Sequence, residues 1–286
     1  MARCNVCFHH CELNEGQTGF CGARICKDGT VRAANYGRIT GFALDPIEKK
    51  PLRRFCPGSL ILSVGSYGCN LRCPFCQNHG ISWSEEALSL SDRAEYVSPQ
   101  DLVRAALQLR SRGNIGLAFT YNEPLIGYEF VRDTARLSHE AGMKNVLVSN
   151  GTAELSVLEE IGPYIDAMNI DLKGFSESYY SDVLGGDLDM VKAFIRRAVQ
   201  LSHVELTTLI VPGENDTEEE MRQLSSWVAG LTDENGECVG STVPLHVSRF
   251  FPTFMMQDRA ATDVALVYKL AEIARERLRF VYTGNC

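Results

Sequence analysis

The sequence predicts an α/β fold: a parallel sheet, open or closed into a full or partial barrel. Three observations carry this. Short apolar runs recur from Ser59 onward, segments of helical period separate them, and Gly, Pro and capping residues mark the junctions. Residues 1–57 have a different texture. They are rich in Cys, Gly, Arg and Lys and poor in long periodic elements, so they read as a small Cys-rich N-terminal module with a linker, Asp45-Pro46-Ile47-Glu48-Lys49-Lys50-Pro51-Leu52. The sheet domain is expected over 58–286.

The elements follow in order. Leu60-Ile61-Leu62-Ser63-Val64-Gly65 is a short apolar run ending in Gly, as a buried strand should be. Ser98-Pro99 supplies an N-cap and a first-turn proline, with Leu102, Val103, Ala106, Leu107 and Leu109 at helical spacing behind it. Ile115–Phe119 reads as a strand and Leu125–Ala141 as a helix, then Asn145–Val148 as a strand and Ala153–Ile161 as a helix. Asp166–Leu172 is a predicted strand, followed by helical segments near Ser176–Val183 and Leu188–Leu201. Val204–Val211 is the next strand. Asp216 or Thr217 caps the helix after it, where Thr217-Glu218-Glu219-Glu220 fits a capping box. Leu245–Phe251 is the sixth strand, and Arg259–Arg277 reads as a long helix before Arg279–Tyr282. In such folds the chemistry sits at the carboxyl ends of the strands.

Composition narrows the function classes. The chain has 286 residues, 45% hydrophobic and 22% charged, which excludes a disordered, collagen-like or coiled-coil protein. Lys and Arg number 28 against 36 Asp and Glu, a net charge of −8, so neither nucleic acid nor an anionic membrane is expected as a partner. The start, Met-Ala-Arg-Cys-Asn, has no apolar run, and no stretch reaches the roughly 18 apolar residues of a membrane helix. A reducing, cytoplasmic setting is expected. Cysteine is the anomaly: 11 in total, nine of them before residue 77. Closely spaced cysteines in a reducing compartment read as metal or redox sites rather than disulfides.

Cys69-Asn70-Leu71-Arg72-Cys73-Pro74-Phe75-Cys76 follows the first strand and sets three thiols on one loop. Three soft ligands suit an iron–sulfur cluster, or zinc completed by a residue such as His79. Cys4-x2-Cys7-x3-Cys11-x9-Cys21 supplies four more, with Cys26 a fifth and His9 and His10 as substitutes. Four thiolates on a core-poor segment suit a closed site, for zinc or an auxiliary iron–sulfur cluster; redox thiols are the alternative. Cys56 and Cys238 read as ordinary thiols. Other strand ends carry polar groups: Thr120-Tyr121-Asn122-Glu123-Pro124, Ser149-Asn150-Gly151 and Asp171-Leu172-Lys173. Glu123 there can receive an ammonium, while on local grounds alone each block also reads as an exposed loop, a turn or a surface ion pair. Val211-Pro212-Gly213 can pack a base or simply end its strand. His246 and Arg249 lie in the sixth strand, His246 on local grounds reading as a satisfied buried histidine.

Cys-x3-Cys-x2-Cys with Phe75 before its last cysteine resembles the radical S-adenosylmethionine (SAM) superfamily. The strand ends resemble the branch containing the pyruvate formate-lyase activating enzyme. Within it the chain is most similar to the radical SAM group of the AmmeMemoRadiSam system, through Asp45–Leu52, Tyr67-Gly68-Cys69-Asn70, Cys76-Gln77-Asn78, Thr120–Pro124, Val211–Asp216 and Val281–Asn285. The resemblance spans essentially the whole chain. It implies a partial (β/α)6 TIM-like barrel with the Cys-rich module as a metal-binding appendage. It also implies a [4Fe-4S] cluster on Cys69, Cys73 and Cys76, whose open iron chelates SAM. Glu123 then meets the methionyl amine, Asn150, Asp171 and Lys173 lie beside SAM, and His246 contacts it. One electron would cleave SAM to methionine and a 5′-deoxyadenosyl radical that abstracts hydrogen from an unidentified substrate. A flavodoxin or ferredoxin donor is implied, with Lys49, Lys50, Arg53 and Arg54 as a docking stretch. The alternatives are an activase acting on a glycyl-radical protein and a non-catalytic metal-binding module. Chains of the resembled group continue to a further Cys-x2-Cys. This sequence stops at Cys286, so either the protein is short or a terminal metal module is missing.

Overall fold

Each apolar run expected as a strand buries side chains on both faces, and the result is one eight-stranded sheet. The computed structural model describes the backbone of residues 1–286 and all side chains except those of Leu88, Ser91 and Asp92. The strands are β1 (Gly41–Pro46), β2 (Leu60–Gly65), β3 (Asn114–Phe119), β4 (Lys144–Ser149), β5 (Ala167–Asp171), β6 (His203–Ile210), β7 (Leu245–Arg249) and β8 (Val281–Gly284). They lie side by side in chain order. Strands β2 to β8 run parallel, and β1 pairs antiparallel to β2. β1 and β8 are the two free edges, so the barrel is partial.

Helices fill the crossovers: α1 (Pro99–Gln108), α2 (Tyr128–Glu140), α3 (Leu155–Ile161), α4 (Leu188–Leu201), α5 (Glu218–Ala229) and α6 (Val264–Arg275). Ser98 and Thr217 cap as expected, accepting from Asp101 N–H and Glu220 N–H. The capping box forms only half, because Glu220 Oε1 accepts from Phe175 N–H instead. The segment expected as one helix over Leu125–Ala141 opens with a 3-10 turn, Pro124–Gly127, before α2. The segment near Ser176–Val183 is a π-helical turn, Tyr179–Leu184, ending on Gly185 at φ +62°. The last helix starts at Val264, not Arg259. Asp263 caps it, and the Thr262 hydroxyl donates to Ile210 C=O and accepts from Phe250 N–H, which holds the preceding residues as a loop. No helix among the described residues is long and apolar enough to cross a membrane.

β1 lies on the N-terminal side of the boundary expected between residues 57 and 58, yet it is part of the sheet, in unbroken register from Gly41–Gly65 to Pro46–Leu60. The linker after it turns under the barrel. Ile47 and Leu52 are fully buried against Ile61, Ala118, Val146 and Ala167, closing the end where the strands start. Each such burial contributes about 2 kcal/mol. Lys50, expected on a docking stretch, is 3% exposed instead, because its ammonium reaches Asp45 Oδ2 at 3.0 Å. Arg53 and Arg54 are exposed, but their backbone N–H groups donate to the buried Glu205. The Cys-rich module contains two short antiparallel pairs, Ala2–Arg3 with Glu12–Leu13 and Arg24–Lys27 with Thr30–Ala33. Arg24, buried, pins it to α2 through Glu129 at 2.7 Å.

Candidate functional site

The plugged lower end leaves the carboxyl ends of the strands to carry a site, and a cavity of about 280 Å3 opens there. Cys69, Cys73 and Cys76 line it, together with Glu123, Asn150, Asp171 and Lys173. Residues from loops after β2, β3, β4 and β5 therefore converge, although they are spread over more than a hundred positions.

Local chemistry explains the convergence. The loop after β2 leaves the strand through Gly65 and Gly68, and Gly68 sits at φ +92° with no room for a side chain: a Cβ would lie 2.7 Å from Cys21 O. Asn122 latches that loop to the one after β3. Its Oδ1 accepts from Ser66 N–H, and its Nδ2 donates to the carbonyls of Tyr67 and Gly68. Tyr121 takes the strained turn at φ +75°. Glu123 is then aimed inward, and Pro124 begins the 3-10 turn.

Glu123 is 3% exposed and forms no ion pair among the described residues. Its Oε1 accepts from Leu125 N–H and Ser149 Oγ–H, both at 2.9 Å, and its Oε2 from Asn150 N–H at 2.8 Å. Burial raises its pKa to about 7, against the pull of those three donors. A buried carboxylate without a cation, facing a cavity, can receive an incoming ammonium. Asp171 and Lys173 pair at 2.8 Å on the same wall. Burial works against the Lys173 charge, but Asp171 outweighs it and holds its pKa well above the usual lysine value.

The three thiols fit a cluster. Burial raises all of them, Cys73 to about 11, so without a cation they stay protonated; bound iron would reverse this. Cys69 Sγ accepts from Leu71 N–H at 3.4 Å and from Asn150 Nδ2 at 3.7 Å, donors that favour thiolate. Asn150 thus touches the cysteine loop, and its orientation is fixed by Asn70 and Thr152. His79 does not complete this set; its ring stacks on Phe254 at 4.2 Å. Three protein ligands on a four-iron cluster leave one iron open.

His246 is not brought to the cavity. It is the second residue of β7, near the plugged end, 6% exposed, with Nε2 at 2.6 Å from Glu205 Oε2. Glu205, fully buried, also takes His203 and the Arg53 and Arg54 amides. Burial pushes its pKa up, but these four hydrogen bonds outweigh it and bring it to about 2. Val211 is fully buried and Arg249 donates to Thr262 C=O, so neither lines the cavity. Asn78, from the block Cys76-Gln77-Asn78, does line it, as do three residues not expected there from sequence: Thr207, Leu209 and Ser248. The signal for the last three is the inward set 205, 207, 209 and 246, 248 on β6 and β7, which apolar runs buried on both faces conceal.

Comparison with known proteins bears on the family and the fold. The signature of the radical SAM superfamily matches residues 63–225. The chain is 36% identical over 287 residues to the uncharacterized protein MJ0808 of Methanocaldococcus jannaschii, covering 99% of this chain and 81% of that protein. It is 25% identical over 171 residues to the pyruvate formate-lyase-activating enzyme of Clostridium pasteurianum, covering 57% of this chain and 67% of that one. Among solved structures, Streptococcus suis SuiB bound to S-adenosylmethionine superposes with a TM-score of 0.58 at 14% identity, over 77% of this chain and 48% of SuiB, a likeness of fold.

Proposed function

The chain belongs to the radical SAM superfamily, and we propose that it cleaves SAM reductively at this cavity and directs the resulting radical at a hydrogen atom of a further substrate. One observation carries the reading: three thiols, Cys73 buried and Cys69 and Cys76 half-buried, and an uncompensated buried carboxylate face the same cavity at the strand ends. Cys69, Cys73 and Cys76 would hold a [4Fe-4S] cluster. When bound, that cluster supplies the single electron that breaks the S–C5′ bond of SAM to give methionine and a 5′-deoxyadenosyl radical.

The chain's own residues bind and orient. Glu123 receives the methionyl ammonium, held rigid by Ser149, Asn150 and Leu125. Asn150 steadies Cys69 through its sulfur. The Asp171–Lys173 pair offers one charge of each sign to the polar parts of SAM. The apolar plug under the cavity excludes water from below. A flavodoxin- or ferredoxin-type donor would supply the electron.

The similarity to a pyruvate formate-lyase-activating enzyme favours one narrower reading, in which the substrate is a glycyl residue of a partner protein. Anaerobic turnover tests both: formation of 5′-deoxyadenosine from SAM supports the general reading. A glycyl radical EPR signal on a co-purified partner would select the narrower one, and deuterium transfer from a labelled small metabolite would exclude it.

A further inference from the structure

Cys4, Cys7, Cys11 and Cys21 line a separate cavity with Phe20 and Arg24. The fifth thiol of the module, Cys26, is buried elsewhere, 4.0 Å from Glu15 Oε2. His9 pairs with Asn70 C=O and His10 with Glu154, so the donor set is four sulfurs.

Three of the four sulfurs accept backbone hydrogen bonds. Cys7 takes the His9 amide, Cys21 those of Ala23 and Arg24, and Cys11 that of Phe20 at 3.5 Å. An amide two residues downstream serves Cys7 and Cys21, as it does Cys69 (from Leu71) and Cys76 (from Asn78). Such donors favour a metal-bound thiolate over a thiol. Arg24 adds a buried cation near Cys4 and Cys21, and its Nε has no partner.

Four sulfurs suit zinc or an iron–sulfur cluster, but zinc carries no electrons, so only a cluster gains from a place beside a second cluster.

The two sets also touch. Cys69 N–H donates to Cys21 C=O at 3.2 Å, and the Asn70 side chain hydrogen-bonds Cys7. Arg72, from the cavity loop, donates to Phe20 C=O and lays its guanidinium 3.8 Å from the Phe20 ring centroid.

We propose that Cys4, Cys7, Cys11 and Cys21 hold an iron–sulfur cluster that passes single electrons to the cluster on Cys69, Cys73 and Cys76. A low-potential one-electron donor protein reduces the N-terminal cluster by one electron. The same electron then moves inward and returns that cluster to its oxidised state, with no bond made or broken. The relay half rests on the proposed SAM cleavage; the site itself does not.

Iron, sulfide and zinc are to be counted in the full-length protein after anaerobic reconstitution. About eight irons per chain are expected, and about four in the Cys69→Ala/Cys73→Ala/Cys76→Ala variant. About four irons with one zinc in the wild type would overturn the site, and needs no variant to fold. Eight irons without SAM cleavage would leave the site standing while the proposed function fails. For the relay, Cys4→Ser and Cys21→Ser should slow turnover driven by a flavodoxin-type donor at least about tenfold more than turnover driven by dithionite. Cys26→Ser, as control, should not separate the two. Equal slowing with both reductants would overturn the relay.

Discussion

Tyr121 donates its phenolic hydrogen to Asp45 Oδ2 at 2.9 Å, tying a wall of the cavity to the edge strand of the barrel. Lys50 completes the knot. Its ammonium meets the same oxygen and lies 4.7 Å from the Tyr121 ring centroid. The strap that plugs the barrel and the turn that aims Glu123 are thus held by one carboxylate.

Asp45→Asn should cost about 3 kcal/mol of unfolding free energy, because it leaves the buried Lys50 ammonium without a counter-charge. Urea unfolding measures this. Pairing it with Lys50→Met should recover most of the loss, since an apolar side chain suits the floor.

The same carboxylate sets an acid limit. Burial acts to raise it, but the hydrogen bonds from Lys50 and Tyr121 outweigh this and lower it from 3.8 to about 2. The folded value is the lower one, so between them the unfolded chain binds more protons and stability rises with pH. The contribution is complete above 3.8 and lost as pH falls through about 2. Asp45→Asn should flatten that part of the profile.

Glu123→Gln keeps the shape and removes the charge. SAM affinity should fall about 10- to 100-fold, the span of a charge-assisted hydrogen bond. Wild-type affinity should rise with pH through about 7 as Glu123 ionises, while the variant stays flat. Equilibrium dialysis on the reconstituted protein reads both.

His246→Asn should lower stability by about 1 kcal/mol or more while SAM affinity stays within about twofold, because His246 serves Glu205 and not the cavity. Glu205→Ala should be worse, about 3 kcal/mol, since it orphans two histidines and two amides at once. Thermal melts and binding isotherms separate the two effects.

What the sequence revealed follows physical lines. The parallel strands were legible because both their faces are buried, and α4 because Asp187 caps it and a full apolar stripe follows. β1 was not, since an edge strand with Phe42 49% exposed lacks the apolar run of its neighbours. The helix expected from Arg259 onward failed because Thr262 is captured by Ile210 and Phe250, a contact across 52 and 12 positions. In the site, Cys69, Glu123, Asp171 and Lys173 stood out in the sequence because Asp171 is the last residue of its strand and the others follow a strand end within four residues. His246 was assigned to SAM through the resemblance alone, although its place as second residue of the expected strand Leu245–Phe251 already set it at the opposite end.

Reductive cleavage of SAM tests the central claim most directly. The protein, reconstituted anaerobically with iron and sulfide, reduced with dithionite and given SAM, should yield equal amounts of 5′-deoxyadenosine and methionine. The Cys69→Ala/Cys73→Ala/Cys76→Ala variant should yield neither. A fully iron-loaded wild type that leaves SAM intact, or a triple variant that still cleaves it, would contradict the account.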